Sequence, residues 1–176
     1  KKSGQVWIET VLYTLIGLAL IGVVLAVATP KINEQRDRNL IEQSIGSLNG
    51  LDEKIAETID RGAGNKRSIP LFSIKRGDLY ISPLDDKIYF VFSEIKKPYS
   101  EPGVLIREGH IDIMTEQIGK SSVVKLSLNY LGKTNLTFND KEEEIKFSST
   151  SQPYKFIITN KGIENSLFKI NIEESA

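Results

Sequence analysis

The stretch TVLYTLIGLALIGVVLAVATP, Thr10 to Pro30, holds 21 consecutive residues without a charge, and from Leu15 to Ala28 only Gly17 and Gly22 interrupt fully apolar side chains. As an α-helix it extends about 31 Å at 1.5 Å per residue, close to the hydrocarbon thickness of a bilayer. A helix lying on a soluble core keeps a polar stripe at 3.6 spacing, and none runs through Leu15 to Ala28. The segment reads as a helix surrounded by apolar material on every side, either lipid or the core of a polymer. Lys1 and Lys2 precede it as they would in a cleavable secretory signal. Yet the run is longer than a usual signal core, Glu9 interrupts its start, and no turn-rich cleavage region precedes Lys31. The expectation is that it stays with the protein. Flanking charge does not orient it, since Lys1 and Lys2 are matched by Lys31, Arg36 and Arg38, with Glu34 and Asp37 as partial offsets.

Beyond Pro30 the pattern stays helical but becomes one-sided. Ile41, Ile45, Leu48, Leu51, Ile55 and Ile59 follow one another at steps of three and four, which is one apolar stripe. Glu34, Arg36, Asp37, Arg38, Glu42, Asp52, Lys54, Glu57 and Asp60 are assigned to the other side, so this half is expected to lie on the C-terminal domain. Pro30, lacking an amide hydrogen, either kinks the junction or begins a second helix. Gly62 and Gly64, within Arg61 to Asn65, end the helical stretch.

From Ile69 the period shortens to two, in Asp78–Ile81, Lys87–Phe92, Val123–Tyr130, Asn135–Phe138, Tyr154–Ile158 and Phe168–Ile172. Val124, Leu126, Leu128 and Tyr130 share one face of their run. Arg76-Gly77, Pro83 to Asp86, Pro102-Gly103, Leu131 to Lys133 and Asn160-Lys161-Gly162 supply the turn chemistry between runs. Eight to ten short strands without intervening helices predict an antiparallel β-sandwich-like head. The fold class is thus α+β, with a leader remnant at 1–4, an apolar helix at 5–30, an amphipathic continuation and turn at 31–65, and a β head at 66–176.

Composition narrows the chemistry. The 23 basic and 23 acidic side chains cancel, and no arginine-rich patch supplies the footprint of a nucleic-acid binder. Without cysteine, and with His110 as the one histidine, thiolate sites, thiol nucleophiles and multi-histidine metal sites are excluded. No phosphate-binding glycine loop, zinc-helix motif, nucleophile elbow or dinucleotide fingerprint occurs, so neither catalytic nor cofactor-binding residues are assigned.

Ahead of the apolar run stands Ser3-Gly4-Gln5-Val6-Trp7-Ile8-Glu9, with a single carboxylate at the border of a segment that otherwise excludes charge. The combination resembles archaeal type IV pilins and related filament subunits, whose class III signal reads Gln-x-Ser-x-Glu-x-x-x-Leu before an apolar stretch. Gln5 and Glu9 match it, and Lys2-Ser3-Gly4 is similar to its basic, glycine-ended leader. Trp7 stands at the serine position and Tyr13 at the leucine position. The resemblance covers about the first 30 residues, and over the rest it is architectural. It implies a cut between Gly4 and Gln5 by a prepilin peptidase, which makes Glu9 the fifth residue of the mature chain. It also implies a membrane-inserted precursor, and export by an assembly machinery into a homopolymer at the cell surface, for attachment or a related task.

Within that reading Glu9 is the candidate assembly carboxylate, able to pair with a terminal amine on entry into the filament because an unpaired charge in low dielectric is costly. The bland alternative is a wet helix-start acid favoured by the dipole. Ala19, Gly22 and Ala26 recur at three and four residues and form a candidate close-packing face. Asn135-Leu136-Thr137 fits a glycosylation sequon beside a glycine turn. His110 is read as a surface or structural residue, Asp85-Asp86 as a turn, and Glu142-Glu143-Glu144 as a solvated acidic patch without the spacing of a calcium loop. The competing functional reading is a single-pass membrane protein whose head is a monomeric binding or scaffold module. A third is a membrane-tethered enzyme using a carboxylate pair in the head.

Overall fold

The computed structural model describes the backbone of residues 3–175 and the side chains of residues 7–175. Lys1 and Lys2 lie outside the described residues, and at the proposed processing positions Gly4 and Gln5 only the backbone is described. One helix, α1 (Ser3–Asp60), is followed by ten strands: β1 (Lys66–Phe72), β2 (Asp78–Ser82), β3 (Lys87–Ile95), β4 (Leu105–Glu108), β5 (Ile111–Ile118), β6 (Ser121–Asn129), β7 (Thr134–Phe138), β8 (Ile145–Ser148), β9 (Tyr154–Glu164) and β10 (Leu167–Glu174). The chain is α+β with an antiparallel-rich β domain, as the patterning predicts. It divides into two compact units, Lys1–Asp37 and Arg38–Ala176.

Among the described residues the first unit is helical and contains Pro30, which neither breaks the helix nor starts a second one. Its threonines are accommodated locally: the Thr14 hydroxyl donates to the Thr10 carbonyl at 2.8 Å and that of Thr29 to the Leu25 carbonyl at 2.7 Å. Bonding back to the carbonyl four residues earlier lets a hydroxyl sit in an apolar stretch without an unmet donor.

In the second unit the strands form a four-stranded sheet, order β1-β9-β10-β7, and a six-stranded sheet, order β4-β5-β6-β3-β2-β8. Both contribute to a single core. Ile88, Phe90 and Phe92 from β3, Val124, Leu126 and Leu128 from β6, and Phe156, Ile158, Ile170 and Ile172 from β9 and β10 are buried with Ile41, Ile45, Leu48, Leu51 and Ile55 of the helix. The three-and-four stripe is therefore the face α1 contributes to that core, and Ile59 packs against its margin.

Two features of the strands depart from the sequence-based expectation. Seven of the eight strand pairs are antiparallel, but β7 pairs with β10 in parallel. The chain leaves the four-stranded sheet after β7, adds β8 to the edge of the other sheet, and returns with the β9–β10 hairpin, whose second strand meets β7 running the same way. Asn160-Lys161-Gly162 is not a reversal. It is a bulge inside β9, facing a register shift between Lys169 and Ile170, and Gly162 supplies the left-handed φ of 105°. The reversal lies at Asn165-Ser166, both left-handed at φ 52° and 67°, the signature of a two-residue hairpin turn.

Candidate assembly surface and polar anchors

The apolar surface of the first unit is turned outward on all sides. Trp7, Leu12, Leu15, Leu18, Leu20, Val23, Leu25 and Val27 are each more than half exposed. The most apolar 18-residue window has a mean hydropathy of 2.6 with none of it buried, so α1 is long and apolar enough to cross a membrane. Glu9, Ala19, Gly22 and Ala26 are exposed as well. A Cβ added at Gly17 or Gly22 meets nothing within 4 Å. Neither glycine is therefore demanded by the chain's own packing, and a small-residue face there has consequences only for contact with something outside the chain.

In the second unit Asp52 is the first polar anchor. One carboxylate oxygen accepts the Tyr130 hydroxyl at 2.7 Å and the other lies 2.7 Å from His110 Nδ1, so α1 is tied to the end of β6 and to the β4–β5 turn. Burial first, and the Asp52 charge second, hold the Tyr130 hydroxyl far above the ordinary tyrosine range, in its neutral donor form. Asp52 is thus drawn inward rather than lying on the solvent side where the helical pattern assigns it. His110 is structural in this arrangement, at the surface and bonded to the helix.

Asn160 is the second anchor, at 1% exposure. Its amide donates to the Asn65 carbonyl at 3.0 Å and its carbonyl accepts from Gly64 at 2.7 Å. Its side chain donates to the Thr58 carbonyl at 3.2 Å and accepts from Gly162 at 2.8 Å. One residue of the bulge therefore fixes the helix end and the turn after it. Sequence reasoning missed both anchors. Their signal was a buried polar type, which becomes visible only once residues far apart in sequence are neighbours.

The remaining candidates are placed as follows. Asp86 is left-handed at φ 49° and its carboxylate accepts from the Leu136 amide at 2.8 Å, linking the 3₁₀ turn Pro83–Asp85 to β7. Asn135 is half-buried in β7, and the sequon hydroxyl of Thr137 is buried and donates to Asn171 Oδ1 at 3.0 Å. Within the exposed acidic run, Glu144 accepts the Tyr89 hydroxyl at 2.9 Å. Among the described residues no three histidine, aspartate or glutamate side chains converge as a metal would require. An open groove of about 420 Å³, lined by Thr150, Ser151, Gln152, Tyr154, Lys155 and Glu174 among others, carries exposed polar side chains at its rim.

Fold and site together define an α+β chain with a membrane-length apolar helix and a β domain that anchors the rest of that helix. Comparison with protein families, curated proteins and solved structures finds no match to the chain.

Proposed function

We propose that the protein is a structural subunit of an archaeal type IV pilus-like filament, in which the apolar helix forms the core and the β domain faces the surroundings. The observation that carries this reading is the outward-facing, unburied apolar surface of residues 7–32. Burying one Leu, Ile or Val side chain is worth roughly 1.5–3 kcal/mol, so the set is worth tens of kcal/mol, on the order of or above the total stability of a domain. Such a surface needs an apolar partner. Lipid satisfies it first, and identical neighbouring helices satisfy it equally well, because each helix already pairs its own backbone groups and can change surroundings without refolding.

Glu9 and the Gln5-to-Glu9 spacing favour the filament over the competing membrane-anchored scaffold, since a lone carboxylate beside the apolar run has a use as an assembly contact. Residues 10–30 pass from bilayer to polymer, and the repeat of one unlike-surface contact yields a helical array. Surface attachment is the role we assign to it.

Electron microscopy of detergent-free material sheared from cells, with the first residue identified by mass spectrometry, tests the reading. Filaments built of this chain and starting at Gln5 are expected. Recovery of the chain solely as a membrane-bound single copy contradicts it. Glu9→Leu is expected to lower filament yield at unchanged protein level, and normal yield removes Glu9 from assembly.

A further inference from the structure

The two ends of the six-stranded sheet carry opposite charge. The row Ile145, Ile81, Ile88, Leu128, Ile111 crosses the sheet near one end. Just outside it are Glu142, Glu143 and Glu144, before β8, and Asp85, between β2 and β3, all exposed. At the other end the row is Ile95, Ser122, Gln117. Beyond it Lys96 and Lys97 follow β3 and Lys120 sits in the β5–β6 turn, again all exposed. Arg76, held on the Ser93 and Glu94 carbonyls, adds a cation there. Opposite charges are interspersed, Glu94, Glu101 and Glu116 among the cations, which Lys75 joins, and Lys87 and Lys141 among the acids, so each end keeps an excess of its own sign.

This polarity runs along the helix. Arg38 lies over the Tyr99 ring, in the connection that begins with Lys96 and Lys97, whereas Asp52 meets Tyr130 and His110 at the acidic end. A second copy displaced along that direction sets its cationic end against the acidic end of the first. The contact joins unlike surfaces, so it repeats without closing. Like ends repel, which disfavours the two-fold arrangement that would stop growth, and opposite ends select direction.

We propose that the acidic end, Asp85 with Glu142 to Glu144, and the cationic end, Lys96, Lys97 and Lys120, form a copy-to-copy contact between successive β domains. The inference rests on the filament reading and names the surface through which the heads meet. It accounts for a balanced net charge that is unevenly distributed.

Charge exchange in the full-length chain tests it. Replacing Lys96, Lys97 and Lys120 by Glu, or Glu142, Glu143 and Glu144 by Lys, is expected to lower filament yield at least about tenfold at moderate salt. The chain carrying both sets is expected to recover it to within about threefold. Wild-type yield from either single set overturns the contact while leaving the filament standing, and so does a folded double set that assembles no better than the single sets. Loss with the lysine set but not with the acid set also overturns it, and points to an anionic lipid surface as the occupant. Absence of wild-type filaments removes the filament reading and this contact together. Should a reversed chain fail to accumulate, the corresponding Gln substitutions are used. Each set is then expected to lower yield about threefold at low salt, and unchanged yield overturns the proposal.

Discussion

Asn160 shows how much one buried polar residue can fix. Removing its side chain leaves the Thr58 carbonyl and the Gly162 amide without partners inside the fold, so Asn160→Ala is expected to destabilise the β domain by about 2–4 kcal/mol, read from denaturant unfolding. Its neighbour behaves oppositely. Thr159 is 5% exposed and its hydroxyl has no partner among the described residues. Thr159→Val keeps the shape and removes that unmet group, and a change between neutral and about 1 kcal/mol of stabilisation is expected. A loss of stability would mean the hydroxyl is bonded after all. Two tyrosines contribute to the alkaline dependence of stability. Burial first, then the bond to Glu144, push the Tyr89 hydroxyl up to about 12, while an unfolded tyrosine ionises near 10. The fold thus holds a proton that the unfolded chain releases, so this contribution is fully present below about pH 10 and lost between about 10 and 12. Tyr89→Phe is expected to flatten the fall in stability over that interval, and Tyr130→Phe to do the same above pH 10, both followed by unfolding at stepped pH.

At the scale of elements, the amphipathic part of α1 is a core element whose worth lies in one stripe. Leu48, fully buried, is expected to cost about 2–5 kcal/mol when cut to Ala, whereas Ala at exposed Gln43 should change stability by less than about 0.5 kcal/mol. Gly77 is a backbone requirement of the turn before β2: at φ 77° an added Cβ would come within 2.7 Å of the Val91 carbonyl oxygen. The apolar run and the stripe were legible in sequence because a 3.6 period persists over many residues, and β3 and β6 because alternation does. The strands β1, β4, β5 and β8 are not among the runs read from the sequence. β4 is exposed at all four positions, and β8 is four residues long, so neither offers a period to count. Glycine at Gly162 announces a left-handed backbone, which a bulge and a turn use alike, and only the Lys169/Ile170 register separates them. The parallel β7–β10 pair follows from strand order, which no local pattern encodes. Asp52 was assigned to solvent because its partner Tyr130 lies 78 residues away in sequence.

On the scale of the whole molecule, the same chain contains one unit that buries its apolar residues and another that exposes them. The candidate assembly residues belong to the second kind of surface, and their proposal rests on residue types and spacing, not on any pocket. In the proposed filament their contacts lie outside the single chain. The most direct test is therefore to ask what touches residue 18. A photoreactive amino acid in place of Leu18, irradiated in detergent-free surface material, is expected to produce a ladder of covalent multimers of this chain. Adducts with lipid alone, and none with a second copy, would contradict the account.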